Sequence, residues 1–286
     1  MSTFTKVLLA TDLSPQADKL TECLFCLCPD TETEVTLAHV FDDEDDADPD
    51  SSTYKKACSR LDKYKSDIVQ AGYEEISITI PVGDTCKELL KAAEEYGTDL
   101  MMVASHRKGF LKRALMGSTT YEMARATAIP LLINKTEEDD NTEDLLKTVL
   151  IPTDFSRKSL EALNIIRSLR EYVGRVLFVH VVEHSRNKHD YKEKYRSAMM
   201  FLQELVDEMK IFGIEADYRI AHGVASKKIG AICERDNVSL IMMTKTGADM
   251  TSGDEIGSTS ENVVLNSHCA VMLLPAEDNE DDNEFA

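Results

Sequence analysis

A chain of 286 residues exceeds one small domain and is long enough for two, each with its own core. Its formal charge of -20 excludes nucleic acid as the main partner, because phosphate binding draws on clustered cations. With 43% apolar residues, no run long enough to cross a bilayer and no basic-then-apolar leader after Met1, a soluble, cytoplasmic protein with no membrane partner is expected, its seven cysteines reduced.

Taken in chain order, the first apolar run, 6 to 11, predicts a strand, and "LTECLFCLC" predicts a helix whose Leu20, Leu24 and Leu27 face the core beside Cys23, Cys26 and Cys28. Strands are predicted at 34 to 41, 75 to 80, 99 to 104 and 129 to 134, each rich in β-branched or apolar residues. The acidic block "DDEDDADPD" at 42 to 50 reads as a solvated loop. "EEDDNTED" at 137 to 144 sits within a linker placed at 137 to 146, and "EDNEDDNE" belongs to a tail at 277 to 286. Domains are thus expected at 1 to 136 and 147 to 276. In the second, "SLEALNIIRSLREY" from 159 has Leu160, Leu163, Ile166 and Leu169 at helical spacing.

The chain repeats itself at an offset of 140 to 142. "KVLLATDLS" at 6 to 14 returns as "TVLIPTDFS" at 148 to 156, and "VTLAHV" ending at Val40 returns as "VLFVHV" ending at Val181. "DLMMVASH" at 99 to 106 returns as "SLIMMTKT" at 239 to 246, and Gly117-Ser118 returns as Gly257-Ser258. Five strands alternating with helices in each half predict α/β architecture: two tandem Rossmann-like domains, each a five-stranded parallel sheet with helices on both faces.

In such sheets ligands lie beyond the carboxyl ends of the strands. Three repeated features fall there: Thr-Asp with a following Ser after strand one, the residues after strand four, and the Gly-Ser that opens the last helix. A helix start offers backbone N-H groups and the positive end of its dipole, so Gly257-Ser258 is a physically sensible anion seat. Asp12 and Asp154 are placed to accept from a ribose hydroxyl or an adenine amine, or else simply to cap the following helix.

These residues resemble the universal stress protein family in its tandem form. Its nucleotide-binding members carry an Asp after strand one and, after strand four, Gly, two residues, Gly, nine residues and Gly-Ser/Thr. A hydrated Mg²⁺ bridging carboxylate and phosphate would relieve the acidic residues of the second loop, and the resemblance implies an adenine nucleotide such as ATP. It also implies pairing through the last strands, near Leu131 to Ile133 and Val271 to Leu273, within the chain or in a homodimer. Ala104 and Arg107 replace the two leading glycines of the first half, and Thr244 replaces one in the second, where Gly247, Gly257 and Ser258 fit. Arg107 stands where the backbone should approach phosphate, so the second half is the expected seat. By position this gives Pro152, Thr153, Asp154, Val181, Thr244, Gly247, Gly257, Ser258 and Thr259. The corresponding set in the first half is Asp12, Val40, Gly117, Ser118 and Thr119.

Charge ranks the halves the other way. The first loop carries Arg107, Lys108, Lys112 and Arg113, the second Lys245 against Asp249, Asp254 and Glu255. Each screened surface charge is worth about 1 kcal/mol or less, against roughly 1.5 to 3 kcal/mol for each charge-assisted N-H contact, so backbone access decides.

The remaining signals take structural readings. Buried cysteine is common, and Cys23, Cys26 and Cys28 have no second ligand pair for a metal. His39 and His180 recur at the end of strand two and read as packed histidines. "HSRNKH" at 184 to 189 reads as an exposed loop. No GxxxxGK[ST], GxGxxG, HExxH or G-x-S-x-G motif is present and no catalytic pair is assigned, so a non-enzymatic stress-response sensor or regulator is expected. The competing expectation is a nucleotide-free scaffold for an unknown protein partner.

Overall fold

Strands made of consecutive apolar residues need cover on both faces, and the computed structural model supplies it. The structure describes residues 3–105, 117–135, 145–247 and 256–275. The acidic stretch 137–144, the tail 277–286 and the charged loop residues Arg107, Lys108, Lys112, Arg113, Asp249, Asp254 and Glu255 lie outside the described residues.

The first half runs β1 (Lys6–Ala10), α1 (Pro15–Leu27), β2 (Glu34–Ala38), α2 (Ser52–Gln70), β3 (Ile76–Thr79), α3 (Thr85–Glu95), β4 (Leu100–Ala104), α4 (Ser118–Ala126) and β5 (Leu131–Asn134). The second runs β6 (Thr148–Pro152), a 3₁₀ turn (Lys158–Leu160), α5 (Ala162–Ser168), β7 (Arg175–Val182), α6 (Lys188–Ile211), β8 (Glu215–His222), α7 (Ala225–Arg235), β9 (Leu240–Thr244), α8 (Ser258–Asn266) and β10 (Ala270–Leu274).

Among the described residues the strands form one sheet in the order β3-β2-β1-β4-β5-β10-β9-β6-β7-β8. Each half is parallel and doubly wound, as the repeat predicts, and alternate residues of every central strand face opposite cores. Val7, Leu9, Leu100 and Met102 meet α1 and α2 on one face, a core that continues under α5 and α6. Leu8, Met101 and Val103 meet α3 and α4 on the other, continuing under α7 and α8.

The two five-stranded sheets are not separate. β5 and β10 pair antiparallel, Leu131 with Leu273, Leu132 with Met272 and Ile133 with Val271. All six are 1% exposed or less. Re-exposing such side chains costs roughly 1.5–3 kcal/mol each, so this seam holds the halves together strongly.

Side-chain caps set half of the α-helix starts among the described residues. Ser14 Oγ accepts from Ala17 N, Ser51 Oγ from Tyr54 N, Asp84 Oδ1 from Lys87 N and Asn187 Oδ1 from His189 N and Asp190 N. α4 and α8 instead start at Gly117 and Gly257, which have no side chain to cap with.

Two local expectations fail. The helix expected from 159 is divided: Ser159 N donates to Ser156 Oγ at 3.2 Å and Ser159 Oγ to Ser156 O at 2.9 Å, which carries the chain through the 3₁₀ turn before α5 begins. In "HSRNKH", Lys188 and His189 are not loop but the first residues of α6, because Asn187 caps it. Leu145 and Leu146, at the end of the acidic stretch, are each 3% exposed and belong to the core. Gly174 lies against the chain entering β6: a Cβ there would stand 2.5 Å from Lys147 O.

Candidate functional site

Beyond the carboxyl end of β6 the chain must turn sharply to leave the sheet, and short polar side chains lock that turn. Thr153 Oγ1 accepts from Phe155 N at 2.9 Å, and Asp154 Oδ1 accepts from Ser156 N at 3.0 Å and Ser156 Oγ at 2.6 Å. Phe155 sits at φ 68, a left-handed conformation that a bulky residue adopts only when its surroundings impose it. The imposition is visible: its ring stacks on His180 at 4.4 Å, and His180 Nδ1 donates to Thr153 O at 2.9 Å.

The first half repeats this device. Leu13 has φ 62, its N donates to Thr11 Oγ1 at 3.0 Å, Ser14 N donates to Asp12 Oδ1 at 3.1 Å, and His39 Nδ1 donates to Thr11 O at 2.9 Å. Both histidines thus hold the turn, the structural role read from sequence, while their rings also line the clefts. Asp12 and Asp154 hold the chain after strand one through Oδ1, the local task weighed against ligand contact.

The other wall of the second-half cleft comes from β9 and α8. Ser260 Oγ donates to Thr244 O at 2.9 Å and Gly257 N donates to Lys245 O at 2.9 Å, which fixes the start of α8 against the end of β9. Gly247 closes onto the turn after β6: a Cβ there would lie 3.0 Å from Asp154 Oδ2. Its missing side chain lets the carboxylate and this backbone come together.

The resulting cleft has a volume of about 320 Å³ and brings together Pro152, Thr153, Asp154, Val181, Thr244, Gly247, Gly257, Ser258 and Thr259. A second cleft, of about 340 Å³, brings together Asp12, Val40, Gly117, Ser118 and Thr119. Each lies at the carboxyl edge of its half, beside the strand where the order reverses, β6 or β1.

Sequence reasoning missed other lining residues. Glu183, just past β7, accepts from Ala225 N at 2.7 Å and so serves the start of α7, whose own N-cap, Val224, has no polar side chain. Asp42 is its counterpart, accepting from Thr85 Oγ1 at 2.8 Å. The signal was present in position, since both follow a second strand, but Asp42 was hidden in the acidic block. Ser159 joins the floor through a 2.8 Å hydroxyl contact with Thr153 Oγ1.

Among the described residues, no group of three or more His, Cys, Asp or Glu is arranged to hold a metal ion. Burial pushes the Cys23 and Cys28 thiols upward, away from the thiolate that redox or metal chemistry needs. Among the described residues, no helix is long and apolar enough to cross a membrane.

Comparison with known proteins gives a consistent picture. The family model described as Universal stress protein family matches residues 3–135 and 146–275. A universal stress protein of Methanocaldococcus jannaschii is 28% identical over 147 residues, covering 47% of this chain and 85% of that protein. A universal stress protein structure from Archaeoglobus fulgidus aligns with a TM-score of 0.72 at 24% identity, covering 96% of this chain and 99% of that one. A structure described as a putative universal stress protein from Pseudomonas aeruginosa aligns with a TM-score of 0.69 at 18% identity, covering 96% and 94%. These last two likenesses establish a shared fold.

Proposed function

The chain belongs to the universal stress protein family, in tandem form, and from that premise we propose that it binds ATP or another adenine nucleotide, chiefly in the second half, as a stress-response sensor or regulator. The observation that carries this reading is the convergence of β6, β9 and α8 on a cleft where a glycine opens the helix facing it.

The glycines support it. Gly117 and Gly257 have φ of -60 and -64, ordinary values for any residue, so neither is required by backbone conformation. A Cβ at Gly117 would meet nothing within 4 Å, so packing does not require glycine there either. That open space above the first-half helix start is what a phosphate group needs in order to reach the backbone N-H groups.

In this reading Ser258 and Thr259 donate to phosphate with the α8 backbone, Asp154 accepts from the ribose, and Pro152 and Val181 flank the base. Asp154 and Glu183 place negative charge in the same cleft, and a hydrated Mg²⁺ bridging carboxylate and phosphate would relieve it. The chain acts by binding, with occupancy altering its affinity for a protein partner in the cytoplasm. The first-half set, Asp12, Val40, Gly117, Ser118 and Thr119, forms a second, weaker seat.

Titration calorimetry with Mg-ATP on the wild-type chain and on Gly257→Val tests the proposal. Heat of binding in the wild type, lost in a variant with unchanged far-UV circular dichroism, is the expected result. A flat wild-type trace up to millimolar ATP overturns it and leaves the scaffold reading. That reading has its own support in α6, which leaves Met200 64%, Phe201 51% and Ile211 82% exposed.

A further inference from the structure

On the far side of the second half from the cleft mouth, two cysteines distant in sequence meet. Cys233 lies in the last turn of α7 and Cys269 in the turn between α8 and β10, and their sulfurs are 3.0 Å apart. Two thiols at that separation are within about 1 Å of bonding distance, since a disulfide S–S length is about 2.05 Å. Cys233 is 4% exposed, while Cys269 is partly exposed and gives the pair its contact with solvent.

We propose that Cys233 and Cys269 form a reversible dithiol–disulfide site that a small peroxide closes, tying α7 to the turn between α8 and β10. The surroundings suit the chemistry. Either sulfur can donate to the other; a bond donated by Cys269, aided by the Lys135 ammonium and opposed by burial and Glu234, draws the Cys233 thiol down, and the same bond and burial drive Cys269 up. With the bond donated that way, Cys233 carries the thiolate beside the Cys269 thiol.

The step balances with hydrogen peroxide as oxidant. The Cys233 thiolate attacks one peroxide oxygen, the O–O bond breaks, and the departing hydroxide takes a proton to become water. The Cys269 sulfur then attacks the Cys233 sulfur, the S–S bond forms, and the second oxygen leaves as water with the proton from Cys269. Two thiols are oxidised and one peroxide is reduced to two waters; a dithiol reductant reverses it.

The site differs in kind from the other cysteines. Cys23 and Cys28 are buried with raised thiols. Its position also matters: α7 contributes Ala225 and Ile229 to the second-half cleft and α8 contributes Ser258 to Ser260. A covalent link from the far end of α7 to the turn that follows α8 ties together the segments behind two of the cleft's walls. The bridge itself does not depend on what the cleft binds.

Peptide mapping of the full chain tests it. Reduced, desalted protein is exposed to hydrogen peroxide, alkylated with iodoacetamide and digested with trypsin without reductant. The expected product joins the peptide Ile229–Arg235 to the peptide that begins at Thr246, two hydrogens lighter than their sum, and vanishes with dithiothreitol. Cys269→Ser, at the partly exposed position, removes it without disturbing the core, and Cys233→Ser gives the same loss if that chain folds. Recovery of both peptides fully alkylated from peroxide-treated wild type, or a cross-link from Cys233 to any other cysteine, overturns the proposal.

Discussion

Tyr121 and Glu261 stand at equivalent positions of α4 and α8, 140 residues apart in sequence, and Tyr121 Oη donates a hydrogen bond to Glu261 Oε1. That bond holds the phenol in its protonated form and raises its pKa. Around it the halves exchange cations. Lys135, just past β5, donates to Val264 O and to Ser267 Oγ near the end of α8, whereas Lys245, just past β9, donates to Arg125 O and Thr127 O at the end of α4. Each half thus satisfies the last carbonyls of a helix in the other, with a positive charge at the negative end of the helix dipole.

Lys135 is 4% exposed, so truncating it leaves buried carbonyls without a donor. Lys135→Ala is expected to lower unfolding free energy by about 1.5–3 kcal/mol, the worth of hydrogen bonds to a charged group. Urea unfolding followed by circular dichroism checks this, and a loss under about 0.5 kcal/mol, typical of a surface substitution, would show that the contact is incidental.

Gly174→Ala should destabilise through overpacking. The new methyl carbon would meet Lys147 O at 2.5 Å, a backbone atom that cannot swing aside. The expected loss is about 1–3 kcal/mol with an unchanged denaturant slope, read from the urea midpoint.

Asp154→Asn separates local structure from ligand contact. The amide oxygen can still accept from Ser156 N, preserving the turn, while the charge facing Gly247 is removed. Binding of Mg-ATP should weaken about tenfold, or about 1.4 kcal/mol, whereas Asp12→Asn should leave the stronger site unchanged. Equal effects of the two substitutions in calorimetry would contradict the assignment of the second half as the main seat.

Acid stability should depend on Arg219, which bonds Asp217 on β8 and Asp236 at the end of α7. Burial pulls both carboxyls upward, but hydrogen bonds and charge from Arg219, joined by Arg235 at Asp236, outweigh it and leave both pKa values below 3.8. A depressed carboxyl contributes stability that is present above its unfolded value and is lost as pH falls through the folded one. Arg219→Met should therefore raise the midpoint pH of acid unfolding and leave the neutral-pH profile flat; an unchanged midpoint would place the acid lability elsewhere.

Much of this architecture is legible in the residues, for identifiable reasons. Leu100 to Val103 and Leu240 to Met243 are buried on both faces, so a central parallel strand leaves an unbroken apolar run that sequence displays directly. The Gly-Ser pair recurs at an offset of 140 and the Thr-Asp pair at 142, and within each half the two meet at the same sheet edge. The pairing of Leu131 to Ile133 with Val271 to Leu273 follows the expectation drawn from the family resemblance.

What stayed hidden depends on contacts made across long separations. Lys135 and Lys245 read as ordinary surface cations, because nothing local shows that the seam brings a foreign helix end above them. Glu183 gains its role only where β7 delivers it to α7. The division near Ser156 and Ser159 arises from hydroxyl bonds that compete with a helix whose apolar spacing is otherwise sound. Cys233 and Cys269 are 36 residues apart and carry no motif.

Antiparallel pairing of β5 with β10 makes the strands of one half run opposite to those of the other, so the two clefts open toward opposite poles of the molecule. A symmetric assembly of separate copies would have to repeat every substitution at both poles. Here, at the offset of 140 set by Ser118 and Ser258, the counterpart of Lys135 is Pro275 and that of Lys245 is Ser105. Fusion has freed the two ends to diverge, so that one chain can present two unlike faces about a nearly twofold axis.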